Sequence, residues 1–338
     1  MKPVQLAFLG FGHFLHSPLW LQALSTMRGV QLRYGWDHDH ARLNEVAMRH
    51  GFPAEPNLDN ILSDDAVDAV AICAENNWHC TLIEKAARAG KHVYCEKPTV
   101  ISLKEAKKVR DAIQSTGVTY MQSFPKRFDR AHQDLVRFIN SGKLGRILFL
   151  RVRHGHGGAL TENKALAAYR DSWFTDLAAS GGGSFLDEGV HGADLIRWIM
   201  GHPVAVTAAM GCNNDKGRES NGTAVFEFAN GAQAVLQSGT IYAGATTCLE
   251  VHGEKGSLVV EGSDMASNNL TGFNVRWTLA KHAEWKLLNT KTDFGTPKYH
   301  QNGICTFIEC LRRGMPVPCQ LEDGLGAFEM IDAAFRAA

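Results

Sequence analysis

The sequence predicts an α/β protein in two parts: a doubly wound parallel sheet with helices on both faces, then an α+β domain with a large, mainly antiparallel sheet. Three observations lead there. Over the first third of the chain, short β-branched runs alternate with amphipathic stretches of about a dozen residues, as in repeated βαβ units. The segment FLGFGHF closes the first run and opens the first helical stretch, the place for a glycine-bearing strand-to-helix turn. Beyond about residue 123 strands dominate, linked by turn sequences such as ANG at 229–231 and GEKG at 253–256.

In order, the first part carries strands over 4–10, 31–37, 67–73, 91–96 and 118–124. Between them lie helices to about 28, to about 50, over 79–89 and over 102–115. The second part opens with a helix over 129–141, closed by SGKLG, and continues with the strand RILFLRVRHGH, a long loop and a helix over 184–200. The strands VAVTAAMG, GTAVFEF, AQAVLQSGTIY, TCLEVHG, GSLVVEG and VRWTLA follow, and helices over about 298–313 and 323–336 finish the chain. No internal repeat or flexible linker separates the parts.

Length agrees with this division, since 338 residues exceed the usual single domain; the expected boundaries are 1–123 and 124–338. The composition, 45% hydrophobic and 21% charged, is that of a globular chain, and no apolar stretch approaches the ~20 residues that cross a bilayer. A soluble protein with no membrane partner is expected. Lys and Arg total 35 against 35 Asp and Glu, which leaves no cationic excess for nucleic acid. The eight cysteines contain no C-x-x-C pair, so reduced thiols and a cytoplasmic location are expected. The opening MKPVQLAFLGFGH is broken too early by glycine to be a secretion signal and reads as the first strand and its turn.

Within FLGFGHFLHSPLW, Gly10 permits a tight turn and Gly12 lets the backbone approach phosphates at the positive end of a helix. Leu15 stands where a third small residue usually sits, which implies a slightly displaced helix. Asp37 ends the second strand, where a carboxylate accepts hydrogen bonds from an adenosine ribose and repels a 2′-phosphate, favouring NAD over NADP. The same position also suits an ordinary cap of the following helix.

In VYCEKPTV, Glu96 and Lys97 follow a strand of the parallel sheet and so fall on the ligand side. Pro98 restricts Lys97 to an extended backbone and permits a cis bond before it. In a hydride-transfer site a lysine there favours the developing alkoxide; a solvated Glu-Lys pair is the plain alternative. Downstream, SGGGSFLDEGVHGADLIRWIMG sets Asp187, His191 and Asp194 on one helical face. His191 is the natural general base, and Asp187 one turn earlier either orients it or binds a substrate hydroxyl.

Together these segments resemble the Gfo/Idh/MocA family of NAD(P)-dependent sugar and polyol oxidoreductases. The landmarks are GFG at 10–12, HSP at 16–18, AENNWH at 74–79, AGKHVYCEKP at 89–98 and GGGSFLDEGVHGADLIRW at 181–198. The resemblance implies an N-terminal Rossmann domain that binds NAD, with NADP as the second choice, and a small polyhydroxy substrate such as a sugar or cyclitol. It implies Lys97, Asp187 and His191 as catalytic residues. Cofactor contacts are expected at Gly10, Phe11, Gly12, His13, Phe14, Asp37 and His38, and again at Cys73, Asn76, His79, Glu96 and Lys97. Substrate contacts are expected at Lys97, Lys126, His154, Trp173, Asp187 and His191. Ala74 and Glu75 replace the Thr-Pro that usually begins the third of these landmarks. The resemblance further implies a homodimer or homotetramer formed through the open face of the second sheet.

Two other readings keep the fold and change the function: a glycosidase or isomerase with transient cofactor oxidation, and a nucleotide-sensing regulatory protein. No metal is expected, because His154 and His156 share a strand face without an evident third ligand. Arg127 beside Lys126 suits either substrate oxygens or a helix start. Trp173, Phe174 and Asp176 suit a sugar pocket or the core, Tyr299 and His300, which precede a C-terminal helix, are further candidates for that pocket, and the loop around 154–176 is expected to set substrate identity.

Overall fold

The structure, a computed structural model, describes residues 2–158, 172–212, 218–245, 247–266, 273–282 and 284–338. Residues 159–171 of the expected substrate loop lie outside that set. Two compact units are present, Met1–Pro125 with His300–Leu325 and Lys126–Tyr299 with Gly326–Ala338. The segment from His300 thus returns to the first unit, which a cut at 123/124 leaves out. Its apolar face gives the reason: Ile304, Phe307 and Ile308 are fully buried, and the Phe307 ring stacks on Tyr94 with centroids 5.5 Å apart.

The first unit alternates strand and helix: β1 (Val4–Leu9), α1 (His16–Thr26), β2 (Val30–Trp36), α2 (His40–His50), α3 (Leu58–Ser63), β3 (Ala69–Ile72), α4 (Asn76–Arg88), β4 (His92–Cys95), α5 (Leu103–Thr116) and β5 (Tyr120–Gln122). Its sheet has the order β2-β1-β3-β4-β5 with every neighbouring pair parallel. The inner strands β1 and β3 are buried along their whole length, and β4 is buried except at His92; this is why β3 reads as the unbroken apolar run AVAI. The helix α3 was not among the expected elements; at six residues, capped by the Asn57 side chain, it is too short to show a periodic face. Chain order reverses between β1 and β3, so their carboxyl ends frame the crevice typical of such sheets. Gly10 sits there with φ of +83°, and a Cβ on it would stand 2.3 Å from that of Ala74. Only glycine fits.

The second unit takes in α6 (Pro125–Phe128) from Lys126 onward, α7 (Arg130–Asn140), β6 (Ile147–Gly155), α8 (Leu177–Ser180) and α9 (Ser184–Met200). Strands β7 (Ala205–Gly211), β8 (Asn221–Glu227), β9 (Gln233–Gly239), β10 (Leu249–Gly253), β11 (Gly256–Glu261), β12 (Asn274–Leu279) and β13 (Lys286–Leu287) follow. The chain closes with α10 (Lys298–Arg313) and α11 (Leu321–Ala337). The eight-stranded sheet runs β13-β12-β11-β10-β6-β9-β8-β7 and is antiparallel except for β6 beside β9. Alternation in β8 and β9 turns Ala224, Phe226, Ala234 and Leu236 into the core, where α9 covers them. Gly192 allows that close packing, since a Cβ there would meet Leu236 at 2.4 Å.

All eight cysteines are free thiols, and no described helix is long and apolar enough to cross a membrane. In the first unit Trp20 is fully buried, edge-on to Phe8 and 4.6 Å from the Tyr94 ring. Trp20→Ala is expected to cost about 3–5 kcal/mol in urea denaturation; a loss below about 1 kcal/mol would contradict the importance given to this cluster.

Candidate active site

The crevice side of the first unit is built on a buried carboxylate. Asp37 has no exposed surface, and its oxygens accept the Phe11 N–H at 2.7 Å, the Asp39 N–H at 2.8 Å, and Arg42 Nε and Nη2 at 2.8 and 2.7 Å. It therefore meets the end of β2 already engaged by a guanidinium, and neither expected reading of Asp37 includes this. The cap of α2 is instead Asp39, which accepts the Ala41 and Arg42 N–H groups. Arg42 reaches on to Glu75 Oε1 at 2.8 Å, and these two carboxylates raise its pKa against the opposing effect of burial. His38 lies 3.4 Å from Asp37 and 3.6 Å from Glu75, and its ring stacks on Trp78.

The glycine turn itself divides into inward and outward parts. Phe11 packs its ring between Phe8 and Phe52, so only its backbone addresses the crevice. The His13 N–H donates to the Cys73 carbonyl at 3.2 Å, and Phe14 is half-buried beside His13. Cys73 is fully buried, and burial pushes its thiol well above the usual range. The His13 ring stacks on His16 at 3.8 Å, and His16 lies 4.3 Å from His300. Burial, then the neighbouring His16 and Lys97, hold His13 and His300 well below the usual imidazole range.

At the end of β4, Glu96 Oε1 meets His16 Nδ1 at 2.8 Å, while Oε2 is buried with no hydrogen-bond partner among the described residues. Lys97 is 3% exposed, and its bond to Pro98 is cis, the form the sequence permits. His13, His16 and Glu96 place three possible metal-ligating atoms within 4.8 Å of one another. The sequence reading, which expects no metal, does not foresee this group. Asn76 is buried at the start of α4. His79, in the same turn, is fully buried with Nδ1 2.7 Å from the Pro98 carbonyl and Nε2 3.2 Å from the Ala74 carbonyl. Burial lowers its pKa, so the neutral ring donates one bond and anchors the backbone beside Lys97.

In the second unit, α9 presents buried Asp187 and His191, and the His191 ring lies 5.0 Å from that of His154 on β6. Between them in sequence, Glu188 extends to His154 Nε2 at 3.3 Å and His156 Nε2 at 3.6 Å. His156 Nδ1 accepts the Gly158 N–H, so in the neutral ring Nε2 carries the proton. Lys126 is buried with its ammonium donating to the Ser263 carbonyl at 2.5 Å, and burial pulls its pKa down. Asp194, the third residue of the expected polar face, is taken by Arg127 through three hydrogen bonds of 2.8–3.1 Å. Trp173 is half-buried and stacks on Phe174, and exposed Asp176 caps α8.

Residues 4–124 match the family model described as "Oxidoreductase family, NAD-binding Rossmann fold", and residues 132–259 match that of the GFO/IDH/MocA C-terminal domain. The chain belongs to the Gfo/Idh/MocA oxidoreductase family. This oxidoreductase is similar to the inositol 2-dehydrogenase of Rhizobium meliloti (strain 1021), at 27% identity over 83% of this chain and 81% of that one. It is likewise 27% identical to the scyllo-inositol 2-dehydrogenase (NAD(+)) of Bacillus subtilis (strain 168), over 92% and 87% of the two chains. A solved levoglucosan dehydrogenase, in complex with NADH and levoglucosan, shares the fold with a TM-score of 0.84 at 22% identity, over 100% of this chain and 97% of that one.

The first unit fits a dinucleotide on its own geometry. The Gly10 and Gly12 turn lies at the strand-order reversal, the Arg42 guanidinium is held by the same Asp37 carboxylate that accepts the Phe11 N–H of this turn, and the Glu96 carboxylate keeps one buried oxygen without a hydrogen bond among the described residues. Arg42, Glu75 and Glu188 are absent from the sequence-derived contacts. Glu75 was visible only as a departure from the family pattern, and Glu188 only as the neighbour of Asp187.

Burial of His132 is expected to make this oxidoreductase less stable in acid. Burial and the charge of Lys126 lower His132, which pairs with Asp129 at 2.7 Å, to about 4. An unfolded imidazole takes up its proton near pH 6.5, so the contribution of His132 is present above that pH and is lost progressively down to about 4, in all about 3 kcal/mol. The urea midpoint is expected to fall from pH 7.5 to 4.5, with a shallower fall in His132→Asn; parallel profiles would contradict the assignment.

Proposed function

We propose that this oxidoreductase is an NAD-dependent dehydrogenase that oxidises one hydroxyl of a sugar, cyclitol or related polyhydroxy compound, or reduces the matching ketone. The observation that carries the reading is the retention of a buried lysine after β4 together with buried Asp187 and His191 on α9, in a chain similar to named inositol dehydrogenases. A regulatory protein that only senses nucleotides has no use for that set.

Bound nicotinamide supplies the hydride acceptor. His191 takes the hydroxyl proton as general base and returns it in the reverse direction. Lys97 donates a hydrogen bond to the same oxygen as negative charge develops on it, and the low polarity around a side chain 3% exposed strengthens that bond. Asp187 binds a neighbouring hydroxyl or orients His191. His154, held by Glu188, presents a further polar group beside the His191 ring. Vicinal hydroxyls suit such a row, because each offers both a donor and an acceptor. Lys126 and Trp173 complete the proposed substrate contacts.

Purified protein supplied with NAD and a panel of inositols, sugars and sugar acids is expected to form NADH with at least one of them. Lys97→Ala and His191→Ala are each expected to lower kcat about 10²–10⁴-fold while NADH binding is retained. Turnover unchanged in both variants, or no reduced cofactor with any compound, would sink the reading. Assembly through the uncovered face of the eight-stranded sheet is also proposed; light scattering is expected to give the mass of two or four chains, and a single-chain mass refutes it.

A further inference from the structure

The Glu75 carboxylate stands in the space that the missing side chain of Gly12 leaves. Its carbon lies 2.6 Å, and its oxygens 2.7 and 2.8 Å, from the position a Cβ on Gly12 would take. A glycine at this turn bares the backbone for the phosphates of a dinucleotide. Glu75 and those phosphates therefore claim one surface, and like charges at such range repel, the more so where water is scarce.

Glu75 is weakly held in that place. Oε1 accepts one hydrogen bond, from Arg42, and buried Oε2 accepts none among the described residues, with His38 Nδ1 3.6 Å away. Although Glu75 is the N-cap residue of α4, its side chain makes no capping hydrogen bond, so rotating it breaks no helix contact. Arg42 is held independently by its two bonds to Asp37, at 2.7 and 2.8 Å, and stays in place when Glu75 leaves.

We propose that Glu75 is a displaceable anionic plug on the phosphate surface of the first unit, which swings aside when a nicotinamide dinucleotide binds and cedes its Arg42 N–H donor to a phosphate oxygen. The inference rests on the dehydrogenase reading and adds to it a residue that sets cofactor affinity. Moving the plug subtracts from the free energy of binding, so cofactor is held less tightly than with a neutral residue at position 75. Weaker retention suits an enzyme that exchanges its cofactor at every turnover.

Glu75→Gln keeps the shape and the acceptor for Arg42 and removes the charge. NADH titrated into the wild-type protein and this variant, followed by its fluorescence, is expected to bind the variant about fivefold or more tightly at low salt, with the gap narrowing as salt is added. Adenosine, which carries no phosphate, is expected to bind both alike. Glu75→Ala is expected to shift NADH affinity in the same direction and serves if the Gln variant melts early. Equal or weaker NADH binding in the variants, with the wild-type protein binding normally, overturns the plug and leaves the dehydrogenase reading standing. Failure of every form to bind NADH or NADPH overturns that reading, and the plug with it.

Discussion

A carboxylate buried without access to water must be met by donors, and the nucleotide-facing side of the first unit is organised around meeting one. Asp37 draws the Phe11 amide from the glycine turn, the Asp39 amide from the start of α2 and the Arg42 guanidinium from its first turns. These bonds tie β1, β2 and α2 together at their functional end. Because Arg42 is fixed this way, Glu75 has a partner, and because Glu75 has a partner it lies over Gly12. The local charge pattern is thus a chain of consequences from one residue at the end of a strand.

The second unit uses buried charge with a different emphasis. Arg127 and Asp194 satisfy each other almost completely and hold α9 to the segment after β5, with the Arg127 guanidinium also over the Trp198 ring. Glu219 accepts the Gly183 N–H and so secures the first turn of α9. Asp187, Glu188 and His191 therefore sit on a helix whose start and middle are both anchored. The groups proposed for chemistry owe their position to neighbours that do none.

The sheet strands and most helices were legible because each carries a period or a run that physics ties to its environment. The buried AVAI of β3 and the alternation of β8 and β9 are examples. The return of His300–Leu325 to the first unit was not legible, since an apolar helix face does not state which sheet it covers. The same holds within the site. Lys97, Asp187 and His191 are visible as motif residues, but Asp194 shares their spacing and only coordinates reveal that Arg127 occupies it. His79 matches a landmark and yet turns both ring nitrogens toward backbone carbonyls. Glu188 gains its partners from β6, far away in sequence.

The first turn of α4 holds two unlike duties within five residues, Glu75 against Gly12 and His79 against the carbonyl of Pro98. A mutation that tilts this turn alters the surface over Gly12 and the backbone beside Lys97 together. Lineages that change one of these positions are then under selection to readjust the other, so the two should drift as a linked pair over evolutionary time.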